Sequence, residues 1–369
     1  MKPFPLMSTM RRLPGLRAAT GATLAATLLL AGCATAPGKS VLPGRSAETP
    51  SFEAPVAVAN PPEQEALKVR VGLQDRLYRV AAPLLVNNTD LCKGNARKLL
   101  GFTAKNKYSY TSEFTDAAER GFGLGERLHI MSVLAGSGAA QAGLRAGDVL
   151  LAVDDKPMPQ GPNAERLAAS ILGPLVNTRT SVKLSLLRNQ APVSQVVPLT
   201  MACAFVIEFG DADNINAYTD GHRILVTRGM LGFVKNDTEL AYVIAREMAH
   251  SALGHPTRLR MSATLGSIID NLIRVHPDLS TMSGLAGVKP FPQDVDAAAD
   301  TLSLYMLARA GYDIDGAQRF WQRLATQVPA STLNGYTAIH PATGFRMAVM
   351  EKIVPDVRSK KSSGARLSP

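Results

Sequence analysis

Chemistry-bearing residues are concentrated in the stretch Asn236–His255, NDTELAYVIAREMAHSALGH, where Arg246, Glu247 and His250 stand at helical spacing. Side chains three and four apart lie on one helix face, about 5–6 Å between Cβ atoms. On such a face H-E-x-x-H forms a hydrolytic zinc site, with two imidazoles gripping the metal and the Glu handling the attacking water. Here the first of the two histidines is Arg246, and an arginine is not deprotonated in proteins, so it cannot be a ligand. Further along, Asp296 and Asp300 are again four apart, and His340-Pro341 is followed by Arg346. The pattern points to metal-assisted hydrolysis, or to a site in which that chemistry has been altered.

Elements able to hold these groups are legible around them. Asn236 can cap a helix, with Glu239 three residues on to complete a capping box. Leu240, Val243, Ile244 and Met248 then give an apolar stripe, so the helix is expected to be buried. Upstream lie Asn216-Ala217-Tyr218 and a strand from Arg223 to Thr227. Downstream, Asp296 and Asp300 belong to a helix ending near Gly311, and an amphipathic stretch runs from Ala317 to Leu324. No Ser or Cys stands in a recognisable nucleophile elbow, so no rival catalytic motif competes.

The start of the chain bears on the compartment. Lys2, Arg11, Arg12 and Arg17 precede an apolar run from Ala18 to Leu30, which has the charge and length of a signal peptide and is too short to span a membrane. It ends in Leu30-Ala31-Gly32-Cys33, which resembles a bacterial lipobox; the alternative is an ordinary secretory signal with an incidental Cys. The resemblance implies lipidation of Cys33 and, with Ala34 next, a periplasm-facing place on the outer membrane. The net charge of +10 has no accompanying Lys/Arg tract with interleaved aromatics, so it reads as a solvated surface and not as a nucleic-acid footprint. Cys92 and Cys203 fit an oxidising compartment. Bridged, they would gain about 4–5 kcal/mol by the chain-entropy argument; the other reading is two buried thiols.

Residues 33–62 are rich in Pro, Ala, Ser and Gly and read as a tether. Leu73, Leu77, Val80 and Leu84 mark a helical leader over 63–94, expected to kink or break at Pro83 and to pack on the C-terminal domain. Between 95 and 202, strand-like runs (Leu128–Val133, Asp148–Val153, Ser181–Leu187, Gln195–Leu199) alternate with Gly-rich turns and one helix near Asn163–Leu172. The stretch GFGLGERLHIMSVLAGSGAAQAGLRAGDVLLAVDDKPM resembles a PDZ domain. That implies a peptide added as a strand at a sheet edge, its carboxylate received by the loop of Gly123, Leu124 and Gly125. A PDZ fold that only packs on its neighbour is the alternative.

From Cys203 to Asp356 the ordered motifs resemble the BepA- and HtpX-type zinc metallopeptidases, peptidase family M48, which include the CAAX prenyl proteases. The family pattern is H-E-x-x-H, a later E-x-x-x-D, then H-P-x-x-x-x-R. The resemblance makes Glu247 the general base and His250 a zinc ligand, and it places Asp300 behind the ligands. It makes Asn216 and Ala217 the edge along which substrate lies, and His340 a histidine able to approach the metal. His255 matches a motif-adjacent residue that is not usually a ligand. Arg246 departs at the first ligand, and Asp296 stands where a ligand Glu is expected, one methylene shorter.

Three outcomes stay open. Arg246 forks onto Asp296 or Glu247 in place of a metal; or zinc persists on His250, Asp296 and His340; or Arg246 is only a buried ion-pair partner. The expected architecture is α+β. It comprises a signal peptide (1–32), tether (33–62), leader (63–94), β-rich PDZ domain (95–202), a mainly helical gluzincin-like domain with a small sheet (203–356) and a disordered tail (357–369). The expected function is a zinc endopeptidase acting on misfolded or misassembled envelope proteins, as part of protein quality control. The alternative is an inactive pseudopeptidase that binds polypeptide through the PDZ groove and a vacant cleft.

Overall fold

The computed structural model describes residues 61–255, 292–328 and 340–369. The signal peptide, Cys33 and nearly all of the tether lie outside these residues. Helix α1 (Pro61–Val86) leads the described chain and runs through Pro83 without a break. Pro83 forgoes its own bond to the carbonyl four residues back, and the helix continues past it, with the Asn87 N–H reaching Pro83 O at 3.1 Å. The turns around it are fixed by burial: Leu77, Val80, Ala81, Leu84 and Leu85 enter the same core as the C-terminal helices.

The middle module follows. Its elements are β1 (Ala96–Leu99), β2 (Phe102–Lys105), α2 (Thr115–Phe122), β3 (His129–Val133), α3 (Gly138–Gln141), β4 (Val149–Val153), β5 (Lys156–Pro157), α4 (Ala164–Thr178), β6 (Ser181–Arg188), β7 (Ala191–Pro198) and β8 (Thr200–Cys203). The main sheet has the order β2-β3-β4-β6-β7, with β5 beside β4, and β1 and β8 pair separately to close the module at its two chain ends. Leu100, Phe102, Ile130, Leu150, Leu172 and Leu184 pack a core of their own between sheet and α4. Alternation along β6 follows from one face buried and one wet.

The C-terminal module contains β9 (Val206–Gly210), β10 (Ala217–Thr219), β11 (Arg223–Thr227), α5 (Arg228–Phe233), α6 (Asp237–Leu253), α7 (Gln293–Arg309), α8 (Ala317–Gln327) and α9 (Gly344–Ser362). Its small sheet has the order β10-β11-β9, antiparallel between β10 and β11 and parallel between β11 and β9. Helix α6 is buried on every side from Leu240 to Ala252, because the sheet, α1, α7 and α8 surround it. Asn236 Oδ1 accepts from the Glu239 N–H at 2.9 Å, as the cap requires. The return half of the capping box is displaced by one residue: Glu239 accepts from the Lys235 N–H at 2.7 Å and is forked by Arg323.

Helix α1 ties the two modules together. The Gln74 amide donates to Ile207 O and accepts from the Phe209 N–H, both at 2.9 Å, and so continues the ladder of β9 by side chain. Arg76 and Arg79 meet Asp237 in the first turn of α6, and Asp75 accepts from Ser132 of β3. Cys92 and Cys203 are joined by a disulfide with Cα atoms 5.7 Å apart, closing 111 residues. The expected disordered tail is instead ordered. Residues 357–362 extend α9, and beyond it Arg366 meets Asp90 while Lys360 and Arg309 donate to the carbonyls of Ser368 and Leu367. A Lys/Ser-rich composition was outweighed by these contacts.

Candidate functional site

Arg246, Glu247 and His250 point from α6 toward α7, which presents Asp296 and Asp300 one turn apart, and His340 and Arg346 close the group from the start of α9. All seven are buried; Arg246, Asp296 and Asp300 have no exposed surface at all. Arg246 Nη2 donates to Asp296 Oδ1 at 2.8 Å, and its Nε lies 3.4 Å from Asp300 Oδ1. The guanidinium also stands over Trp321 of α8, 4.8 Å from the ring centre. Arg346 forks onto Asp300 at 2.7 and 3.0 Å and donates to the carbonyls of His340 and Pro341.

The two histidines converge on the same carboxylate. His340 Nδ1 lies 2.8 Å from Asp296 Oδ1, and His250 Nε2 lies 3.4 Å from it. His340 Nε2 is 3.9 Å from Glu247 Oε1. Burial sets the ionisation of all of them. It pushes His250 down to about 3 and His340 down to about 4, so both imidazoles are neutral at neutral pH. Glu247 is pushed up to about 8 by the same desolvation, against the pull of Arg246. Burial also acts against the Asp296 carboxylate, but contacts from His250 and His340 and the charge of Arg246 win, so it stays well below the usual carboxylate range. Two guanidiniums therefore lie against the side chains of Asp296 and Asp300, and burial favours the protonated form of Glu247.

His250, Asp296 and His340 offer ligand atoms all within 4.8 Å of one another, so the three donors expected from the sequence do come together. They nevertheless do not fit a catalytic zinc. The shared acceptor, Asp296 Oδ1, already receives Arg246 Nη2 and His340 Nδ1, each at 2.8 Å. An ion bonded to that oxygen would share it with a fixed cation. Even unit charges 4 Å apart repel by about 4 kcal/mol at an effective dielectric of 20, and a divalent ion doubles this. The Arg246 guanidinium, stacked on Trp321, stands beside these donors.

The remaining expected residues divide. Asn216 is fully buried; its amide binds Tyr218 and the Ala217 N–H, and its own N–H donates to Thr227. It thereby fixes the start of β10, the outermost strand of the small sheet among the described residues, and Ala217 pairs with Val226. Thr219 links that strand to Ser251 of α6 at 2.6 Å. The loop at Gly123, Leu124 and Gly125 is a correction. Gly123 is in the left-handed conformation at the end of α2, and the N–H groups of Gly123 and Leu124 bond to Glu119 O and Ala118 O. Those amides close a helix and are not presented to a carboxylate, and the Leu124 side chain is buried. Sequence reasoning gave no role to Trp321 or Arg346. The signals were there: a lone Trp on an amphipathic stretch, and an Arg six residues after His340.

The fold is that of a mainly helical, metallopeptidase-like domain joined to a PDZ domain. Residues 194–354 match peptidase family M48 and residues 129–171 match a PDZ domain. The C-terminal module is thus similar to the domains of peptidase family M48, a likeness that covers less than half of the chain. Over 124 residues the chain is 33% identical to the mitochondrial metalloendopeptidase OMA1 of Arabidopsis thaliana, covering 32% of this chain and 25% of that protein. It is 24% identical over 149 residues to the OMA1 metalloendopeptidase of Schizosaccharomyces pombe, covering 39% and 44% respectively. It is 29% identical over 131 residues to a beta-barrel assembly-enhancing protease of Yersinia pestis, covering 31% and 27%. The chain therefore spans less than half the length of these relatives. Among the described residues no helix is long and apolar enough to cross a membrane.

Proposed function

We propose that this protein binds misfolded or misassembled polypeptides of the bacterial envelope and does not cut them, its metallopeptidase centre having been converted into a metal-free ion-pair cluster. The observation that carries this reading is the buried Arg246–Asp296 pair, in which a long cation meets a shortened anion at the two departures from the family pattern. Removing one partner of such a pair leaves a buried charge, so the two residue types stand or fall together. Burial favours the protonated form of Glu247, which weakens it as a base in the metal-free cluster.

Polypeptide is taken by the PDZ domain, whose β2 and β7 are the outermost strands of the sheet among the described residues. The β10 edge beside α6 is a second place for an extended chain. Lipid on Cys33 holds the protein at the periplasmic face of the outer membrane, and the tether sets its reach.

A second reading, zinc retained on His250, Asp296 and His340 with residual hydrolysis, is favoured by the convergence of those three donors. Casein degradation by the full chain separates the two. We expect none from the natural protein and none lost on Glu247→Gln. Cleavage that disappears in Glu247→Gln would establish the peptidase instead.

A further inference from the structure

The end of α6 brings a second pair of donors together. The helix closes in a Schellman turn: Gly254 has φ 73°, its N–H reaches Ser251 O at 3.1 Å, and the His255 N–H reaches back to His250 O at 2.9 Å. This closure folds the residue after the glycine onto the last full turn, where the contact is usually apolar. Here both residues are histidines. Their ring centres are 5.1 Å apart and their Nδ1 atoms face each other at 3.1 Å. Two imidazole nitrogens at that separation subtend about 100° at an ion bonded to each at about 2.0–2.1 Å.

The rest of the ring's surroundings suit a ligand. His250 turns its other nitrogen, Nε2, toward the Asp296 carboxylate at 3.4 Å. A carboxylate behind the far nitrogen is how metal-binding histidines are commonly oriented. The Nδ1 side is therefore the side not facing Asp296 and its guanidinium. His255 is partly exposed where His250 is buried, so the pair can be approached from outside.

We propose that His250 Nδ1 and His255 Nδ1 chelate a divalent transition metal, Cu²⁺, Ni²⁺ or Zn²⁺, at the C-terminal end of α6. The site is displaced from the family's metal position, and the proposal rests on the reading that His250 Nε2 is engaged by the metal-free cluster. Imidazole suits all three ions, with copper held most strongly. Two protein ligands make an exchangeable site, not a permanently loaded one.

Isothermal titration of Ni²⁺ into the full untagged chain tests this, with His255→Gln and His340→Ala alongside. Glutamine keeps a side-chain N–H for His250 but removes the imidazole. We expect one Ni²⁺ per chain, an affinity at least about tenfold lower in His255→Gln, and no such loss in His340→Ala. Cu²⁺ bound to the natural chain should show electron-spin coupling to two nitrogens, a readout independent of how the variants fold. Coupling to one nitrogen or none, absent nickel binding, or a His255→Gln chain that binds as the natural one overturns the proposal and leaves the metal-free cluster standing. Loss of nickel in His340→Ala but not in His255→Gln overturns both, because the ion then sits among His250, Asp296 and His340.

Discussion

Arg246 changes what each of its neighbours can do. With a guanidinium on Asp296, the carboxylate is a counter-ion, hydrogen-bonded to His340, with His250 Nε2 3.4 Å away. Arg246→Ala should cost about 3–5 kcal/mol in denaturant unfolding, since it strands a buried aspartate; a change below about 1 kcal/mol would mean the pair contributes little. Glu247 sets the alkaline flank. Its folded value near 8 lies above the ordinary 4.5, so ionisation favours the unfolded chain and stability falls as pH rises from about 5 to 8. Glu247→Gln should remove that slope and exceed the natural protein by at least about 1 kcal/mol at pH 8, with the gap closing toward pH 5. Parallel stability profiles would show that Glu247 is not held protonated. The depressed values of His250 and His340 act on the other side, withdrawing stability as pH drops below about 6.5. Spacing on one helix singles out Arg246, Glu247 and His250, whereas Asp296 and His340 enter through the family resemblance. What spacing left open was which of three arrangements they adopt, because that depends on which atoms of Asp296 and Arg246 meet.

Among the elements, α6 is readable because the Asn236 cap and the apolar stripe agree along one segment; Gly254, which closes the helix, was not used as a signal. The strands of the PDZ module were readable from alternation. The glycine run at 121–125 resembles a carboxylate loop, but Thr115–Phe122 before it has one apolar face at helical spacing, with Ala117 and Ala118 buried, and that periodicity is the signal that makes Gly123 a helix cap. The leader's apolar stripe correctly assigned it to the C-terminal core, but the role of Gln74 depends on its register against β9. Gln74→Leu should strand the Phe209 N–H at a buried edge, lowering stability by about 1–3 kcal/mol, read as a shifted urea midpoint with an unchanged slope. An unshifted midpoint would mean that water replaces the amide there.

For the whole molecule, α1 and the disulfide join what the sequence presents as separate modules. Asp75 reaches the PDZ sheet while Gln74, Arg76 and Arg79 hold the C-terminal module, and Cys92–Cys203 binds the end of the leader to the last strand of the PDZ module. Non-reducing peptide mapping of chain isolated from the envelope should recover the linked Cys92 and Cys203 peptides; two alkylatable thiols would contradict the bridge. Cys33→Ser should move the protein from the membrane to the soluble fraction, and persistence in salt-washed membranes would place the anchor elsewhere. The ordered tail does not follow from composition, since its contacts are with Asp90 and Arg309, far away in sequence.

The central claim is that a guanidinium stands in place of the metal. Zinc retained by the purified full chain after dialysis against a weak chelator tests it most directly, compared with the Arg246→His, Asp296→Glu double variant. We expect well under one zinc per natural chain and close to one in the variant, whose ligand set is again two imidazoles and a glutamate. A natural chain that keeps one zinc through dialysis and loses it on His340→Ala would contradict the account.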